Sequence, residues 1–305
     1  MKILFLGTPA FAVPSLLVLL DNGYAVTHVV TAPDKPAGRG LQLQPSAIKV
    51  AALKRGVTVW QPPSLRDEAF LQSVGEQAFD VAVVVAFRMM PEVLWSMPRM
   101  GTINLHGSLL PDYRGAAPIN WAIINGEKMT GCTTFFLKHE IDTGDVIDTC
   151  EIPIADDANA GQLHDSMMYI GAELVLKSIK KISKGGVEVR PQVLSATAHK
   201  APKLDNLVML LDFNDSALAV CNRVRGLSPY PAAYFILFDK KCKVFAAVAL
   251  SETSDKPIGT LICDNKSVLK IVCASGCLQV LELQLEGKKK MSVVDFLLGN
   301  KAMFG

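Results

Sequence analysis

The chain has 305 residues, half of them hydrophobic and one fifth charged, a length that accommodates two domains and a composition that excludes a disordered or fibrous chain. Its formal net charge of +2 is too small to announce a nucleic-acid partner, so a large acidic substrate would have to be met by local basic patches. Seven cysteines without metal-ligand spacing fit a reducing, cytoplasmic setting; Cys273 and Cys277 find no second pair to complete a zinc site, and no metal is expected.

Lys2 to Leu6 reads as a buried strand and Phe11 to Leu20 as a helix. Gly7-Thr8-Pro9 between them interrupts the apolar run that would otherwise resemble a secretory signal, and no apolar run reaches the roughly 18 residues of a membrane span. Strand Val26 to Thr31, helix Ser46 to Arg55, strand Val57 to Trp60, helix Arg66 to Val74 and strand Val81 to Ala86 repeat the unit. This alternation predicts an α/β domain, a doubly wound parallel sheet covered on both faces. Such sheets bind ligands beyond the carboxyl ends of their strands. Gly7-Thr8-Pro9 lies at one such end but lacks the spacing of a dinucleotide-binding turn.

Pro33 to Pro45 is a thirteen-residue connection rich in Pro and Gly, either a tolerated surface insertion or a working loop in which Lys35 and Arg39 meet phosphates. Thr102 to His106 is a short strand in which Asn104 and His106 share one face while Ile103 and Leu105 share the other. Either the pair caps a strand end through backbone hydrogen bonds, or it serves attack on a carbonyl carbon, the amide donating to an oxyanion and the imidazole moving a proton. The rigid loop Ser108 to Pro118 that follows is of the kind that lines pockets. Strands Thr130 to Leu137 and Val146 to Ile152 flank a loop at Asp142, so a hairpin-like excursion would bring that acid back over the strand ends. Ala158 to Lys184 is a long amphipathic helix stopped by Gly185-Gly186.

After Pro191 the pattern changes. Residues 1–195 are expected to form the first domain, 196–207 a linker and 208–305 a second domain. In the latter a helix from Ser216 to Arg225 precedes strand-like runs at Ala233 to Phe238, Val244 to Leu250, Thr260 to Cys263, Val268 to Val272 and Leu278 to Leu285. Five short strands predict a small β-barrel, of the oligonucleotide-binding (OB-like) type. Lys288, Lys289 and Lys290 are either a solvated turn or a set of phosphate contacts.

Asn104-x-His106 followed by SLLPDYRGAAP resembles the catalytic segment of the folate-dependent formyltransferases, and Ile141 to Asp145 is similar to that family's catalytic-Asp loop. The resemblance implies a Rossmann-like formyltransferase domain, Asn104, His106 and Asp142 as the catalytic trio, and 10-formyltetrahydrofolate as co-substrate. It also implies a donor pocket formed by Phe87, Arg88 and Met89, the segment that helps enclose the pterin in the family, with Ser108, Leu109, Leu110 and Pro111. The string PDKPAGRG is similar to the insertion by which the methionyl-tRNA formyltransferases of this family recognise the acceptor end of their tRNA, with Arg39 at the contacting position and Lys35 beside it. Where relatives often carry further basic residues, this chain has Leu41-Gln42-Leu43-Gln44. RGLSPYPAAYF and LELQLEGKKKMS look like C-terminal-domain strings of the same group. Together they imply methionyl initiator tRNA as acceptor and a role in translation initiation; a monomer is expected because the tRNA must reach both domains, and no membrane association is expected because no apolar run is long enough to span a bilayer. Three rival readings remain: formyl transfer to a nucleotide-sugar amine, hydrolysis of the donor, and a non-catalytic RNA-binding module. Each predicts a different dependence on folate and on the amine acceptor.

Overall fold

Continuous β-branched and apolar runs build the centre of the first of two structural units. The computed structural model describes residues 1–37, 42–193 and 198–300. Contacts divide these into Met1–Gly115, Gly131–Ile152 and His164–Lys200 on one hand, and Ala116–Thr130, Pro153–Leu163 and Ala201–Gly305 on the other.

In the first unit the chain forms β1 (Lys2–Gly7), β2 (Ala25–Val30), β3 (Lys35–Ala37), β4 (Gln42–Gln44), β5 (Thr58–Trp60), β6 (Val81–Val85), β7 (Thr102–His106), the two-residue β8 (Arg114–Gly115), β9 (Met129–Phe136) and β10 (Val146–Pro153). Seven of them make one sheet in the order β10-β9-β7-β6-β1-β2-β5. Strands β1, β2, β5, β6 and β7 run parallel. Ile3, Phe5, Val81, Val83 and Val85 expose no surface, as expected of strands covered on both faces. The parallel strands read from sequence up to β6 are joined by β7, and at this edge β9 pairs antiparallel with β7. The connection from β9 to β10, residues 137–145, is too short for the crossover that parallel neighbours require, so these two strands return as a hairpin-like arm.

The helices begin where capping chemistry places them. Ser46 accepts from the Lys49 amide at 3.2 Å to start Ala47–Lys54, and Asp67 accepts from the Phe70 amide at 2.8 Å to start Glu68–Glu76. The long helix Ala160–Ser183 is fastened to the β9–β10 arm by Thr134 and Ser178, whose hydroxyls lie 2.6 Å apart, and by Lys177 and Lys181 on Asp148 at 2.9 and 2.7 Å. Part of the Pro33–Pro45 connection is strand rather than loop. β3 and β4 pair antiparallel, Lys35 with Gln44 and Pro36 with Leu43, and residues 38–41 at the tip lie outside the described residues.

In the second unit, after the short β11 (Lys200–Ala201), come β12 (Ala233–Leu237), β13 (Lys240–Leu250), β14 (Leu261–Cys263), β15 (Leu269–Val272), β16 (Cys277–Leu285) and β17 (Met291–Ser292). The five runs read from sequence are all strands. They pair antiparallel in the order β12-β13-β16-β15-β14, with β17 on β16. Among the described residues the path does not return from β14 to β12, so the sheet is a half-barrel open along that edge. Register shifts around Ala246 bend β13. Helix Ala217–Leu227 fills the concave side, with Val220 and Val224 in one cluster with Phe235, Val244, Leu283 and Phe296.

Residues 116–130 and 153–163 group with this unit rather than with the sheet they follow in sequence. The contacts responsible are specific: Asn120 Nδ2 donates to the Gly226 carbonyl at 2.7 Å, Trp121 Nε1 to the Pro202 carbonyl at 2.8 Å, and Arg225 to the Ala158 carbonyl at 2.8 Å.

Candidate active site

Strand β7 lies between β6 and β9, with Asn104 paired to Val84 on one side and Phe135 on the other, and His106 opposite Thr133. Ile103 and Leu105 are buried, which leaves Asn104 and His106 to project together from the other face. Asn104 is half-buried, and its amide makes no hydrogen bond to a described residue, so its donor is free for a ligand.

The His106 ring is 6 % exposed and is held by one contact that decides its chemistry. Its Nε2 lies 2.8 Å from the Tyr113 carbonyl oxygen. A carbonyl only accepts, so Nε2 carries a hydrogen and Nδ1 is the nitrogen left to exchange a proton. That Nδ1 faces Asp142 Oδ2 at 3.8 Å, beyond hydrogen-bond length.

Asp142 is held from two directions. Its Oδ2 accepts from the Gly115 amide at 3.0 Å. Its own backbone has φ +54°, a left-handed conformation that a non-glycine residue keeps only under constraint. The constraint is Gln192, whose Nε2 donates to the Asp142 carbonyl at 3.0 Å and to the Gly144 carbonyl at 2.7 Å, while its Oε1 accepts from Arg114. Gln192 therefore ties the acid's loop to the loop after β7. Gln192→Ala is expected to lower kcat by about tenfold, the order seen when a group that orients a catalytic side chain is removed, with donor KM unchanged in steady-state kinetics. An equal rise in KM would show a general loss of structure instead.

The loop after β7 is pinned beneath its own residues. Ser108 Oγ donates to the Asp112 carbonyl at 2.6 Å, and Thr133 Oγ1 bridges the Ser108 carbonyl and the Leu110 amide at 2.7 and 3.1 Å. Ser108, expected from sequence to line the donor pocket, is buried, with its hydroxyl engaged inside the loop. Leu109 is half-buried, packed over Gly131, and Leu110 is buried with a cis bond to Pro111. Further along, the Tyr113 ring stacks on His199 with centroids 5.3 Å apart, and the Tyr113 amide donates to the His199 carbonyl at 2.7 Å. The carbonyl that orients His106 is thereby itself held.

At the end of the neighbouring strand β6, Phe87 packs against the cluster containing Leu4, Val84 and Leu94, whereas Met89 is 76 % exposed. Arg88 donates to the carbonyls of Pro62 and Pro63 at 2.6 and 3.0 Å, and so positions that loop. Between them lies an open cavity of about 370 Å³ lined by residues 63–66 and 88–91, in the size range of small-molecule sites.

The remaining candidates lie elsewhere. Lys35 is exposed on the hairpin, and Arg39 falls outside the described residues. In the second unit Lys288 and Lys289 are exposed, while Lys290 pairs with Glu282 at 2.6 Å and lies 5.0 Å from the Phe245 ring centroid. Gln192, Arg114, Thr133 and the Tyr113 carbonyl are the functional groups that sequence reading missed. Thr133, directly opposite His106, shares its strand with Thr130 and Thr134, so its hydroxyl carries no distinguishing signal in the sequence.

An Asn–His–Asp set at the carboxyl end of a Rossmann-like sheet, followed by an antiparallel domain, defines a class that comparison with known proteins makes explicit. Residues 1–179 match the formyl transferase family and residues 203–301 the formyl transferase C-terminal domain. Methionyl-tRNA formyltransferases of Bacteroides fragilis and Flavobacterium johnsoniae are each 46 % identical to the chain, covering 98 % of it and 95 % and 96 % of themselves. Among solved structures, an N-formyltransferase from Helicobacter canadensis in complex with folinic acid and dTDP-3-aminofucose has a TM-score of 0.69 at 18 % identity, over 95 % of this chain and 100 % of its own. HypX from Aquifex aeolicus in complex with tetrahydrofolic acid has a TM-score of 0.66 at 19 % identity, over 98 % of this chain and 47 % of its own. The chain belongs to the formyl transferase family, and within it to the methionyl-tRNA formyltransferases.

Proposed function

We propose that this protein transfers a formyl group from 10-formyltetrahydrofolate to the α-amino group of methionyl initiator tRNA, in the cytoplasm and as a monomer. The observation that carries the mechanism is the division of labour on the His106 ring, with Nε2 tied to the Tyr113 carbonyl and Nδ1 directed at Asp142.

The bound donor supplies an activated N-formyl carbon. Asn104 donates to the oxygen that gains charge as the amine attacks, with His106 close to the same oxygen. His106 takes the proton from the incoming nitrogen at Nδ1 and returns it to the departing one, and Asp142 stabilises the imidazolium between the two transfers. The cavity beside Met89 supports this reading. Its walls of Pro63, Leu65, Met89, Met90 and Pro91, with Arg66 and Arg88, suit a flat aromatic donor bearing acidic groups.

For the RNA, the hairpin with Lys35 and Arg39 would take the acceptor end. The outer face of β12–β13, where Tyr234 lies opposite Lys243 and Lys241 Nζ sits 3.7 Å from the Tyr234 ring centroid, would act with Lys288 and Lys289 in the manner of an oligonucleotide-binding sheet. Lys288→Ala with Lys289→Ala is expected to weaken tRNA binding uniformly and to reduce the slope of log K against log salt by about 2, one for each phosphate that is no longer neutralised. Filter binding from low to moderate salt measures this, and an unchanged slope would remove both lysines from the interface.

The function is tested with labelled formyl donor offered to charged initiator tRNA, uncharged tRNA and a nucleotide-sugar amine. Label should appear on the charged tRNA alone. Label on the sugar amine, or formate release without any acceptor, would replace the assignment, and light scattering of the same preparation tests the monomer.

A further inference from the structure

The β9–β10 arm sets two cysteines face to face. The Phe136 amide donates to the Asp145 carbonyl at 3.0 Å, and Thr134 Oγ1 lies 3.4 Å from the Asp148 carbonyl. These contacts step in opposite directions along the two strands, so the strands are antiparallel. Two residues before Thr134 is Cys132, and two after Asp148 is Cys150. A Cβ on Gly131 would come within 2.1 Å of the Cys150 carbonyl, so the strands are closely apposed here.

Because side chains alternate along a strand, Cys132 and Cys150 share the face of Thr134 and Asp148, the one covered by helix Ala160–Ser183. Cys132 Sγ accordingly lies 4.0 Å from the Met167 carbonyl of that helix. Opposed residues in an antiparallel pair have Cα atoms about 4.5 or 5.5 Å apart, and both spacings fall inside the roughly 4.4–6.8 Å window that a disulfide spans.

The two sulfurs are not equivalent. Cys132 exposes no surface, whereas Cys150 is half-buried on the edge strand. A hydrogen bond from the Cys132 thiol draws Cys150 below the ordinary thiol range against the opposing effects of burial and Asp148, and Lys177 assists. That same bond, with burial, pushes Cys132 up. Burial likewise raises Cys221, Cys273 and Cys277, and takes Cys242 to about 12. A thiolate is the reactive form, so Cys150 stands apart from these thiols.

We infer that Cys132 and Cys150 form a reversible cross-strand disulfide when the protein meets a hydroperoxide, with Cys150 the sulfur that reacts first. The Cys150 thiolate attacks the terminal peroxide oxygen, the O–O bond breaks, and the leaving alkoxide or hydroxide departs protonated, which leaves a sulfenic acid. Cys132 then gives up its proton as its sulfur attacks Cys150; the S–O bond breaks and the hydroxyl leaves with that proton as water. Two thiols are oxidised to one disulfide, and the peroxide takes both electrons. The bond joins the two strands that carry the Asp142 loop.

The full-length protein is treated with hydrogen peroxide, its remaining thiols are alkylated, and its peptides are mapped by mass spectrometry, with and without dithiothreitol. The expected product is a reducible link between the peptides holding Cys132 and Cys150. In untreated protein Cys150 should alkylate at least about tenfold faster than Cys221 or Cys242, following its thiolate fraction. Cys132→Ser should leave a sulfenic acid on Cys150 that dimedone traps, and Cys150→Ser should leave Cys132 reduced. A link forming first between Cys273 and Cys277, or seven thiols that stay alkylatable after peroxide, would overturn the inference on the unmutated protein alone.

Discussion

His106→Ala is expected to lower kcat by about 10³- to 10⁴-fold, and Asn104→Ala by about 10²- to 10³-fold, the ranges for losing an acid–base group and an oxyanion donor. Donor and tRNA affinities should change by less than about threefold, because both side chains act on charge that develops during the reaction and little on the ground state. His106 carries the larger effect for a structural reason. Its ring holds one hydrogen on Nε2 against the Tyr113 carbonyl, so in the proposed mechanism a single nitrogen would serve both proton transfers. Asp142 is 3.8 Å from that nitrogen and is not placed to take the proton over. Asp142→Asn should therefore fall between wild type and His106→Ala, since the amide side-chain oxygen still accepts from Gly115 while the negative charge beside the ring is gone. Single-turnover formyl transfer at saturating donor measures all three. Near-normal rates in both the Asn104 and His106 variants would mean that the chemistry takes place elsewhere.

Much of this site is legible in the sequence because strand alternation is a strong local signal. Thr102 to His106 reads as a strand from its residues, and that alone puts Asn104 and His106 on one face. Asp142 is reachable through its flanking β-rich runs. Three kinds of information are not available locally. The hairpin-like return of β9 and β10 is readable from their short connection, but the strand against which β9 pairs is not set by local composition. Backbone groups carry no residue identity, which hides the Tyr113 carbonyl and the Gly115 amide. Gln192 follows the acid's loop at a distance in sequence and lies in no recognisable pattern. Ser108 shows the same limit: a hydroxyl in a pocket-type loop can point either outward or into the loop, and only the fold, through Asp112, settles which. In the second unit, runs of β-branched and aromatic residues mark every strand read from sequence, yet closure of the sheet depends on pairing between β12 and β14, which no local pattern encodes.

Gly144→Ala is expected to be the most damaging single-methyl change in the first unit. A Cβ at this position would lie 1.6 Å from the Phe136 carbonyl oxygen and 2.8 Å from its carbon, both backbone atoms at the end of β9. Neither can step aside as a flexible side chain would, because the Phe136 amide is itself bonded to the Asp145 carbonyl at 3.0 Å. Relief must come from the loop, and the loop is what holds Asp142: moving residue 144 breaks the 2.7 Å hydrogen bond of its carbonyl with Gln192 and releases the neighbouring one at residue 142. The cost should reach about 3 kcal/mol, in the range of overpacking with backbone displacement. At roughly 2–4 °C per kcal/mol for a unit of this size, the melting transition of the first unit should fall by about 10 °C. Activity should fall further than stability, by about 10²-fold at a temperature where the variant is fully folded, because Asp142 loses its position before the sheet loses its packing. Calorimetry together with formyl transfer at low temperature separates the two effects. A Gly144→Ala variant that melts like the wild type and turns over at a normal rate would show that the loop has another path past Phe136, and that the left-handed conformation at Asp142 is not a condition of catalysis.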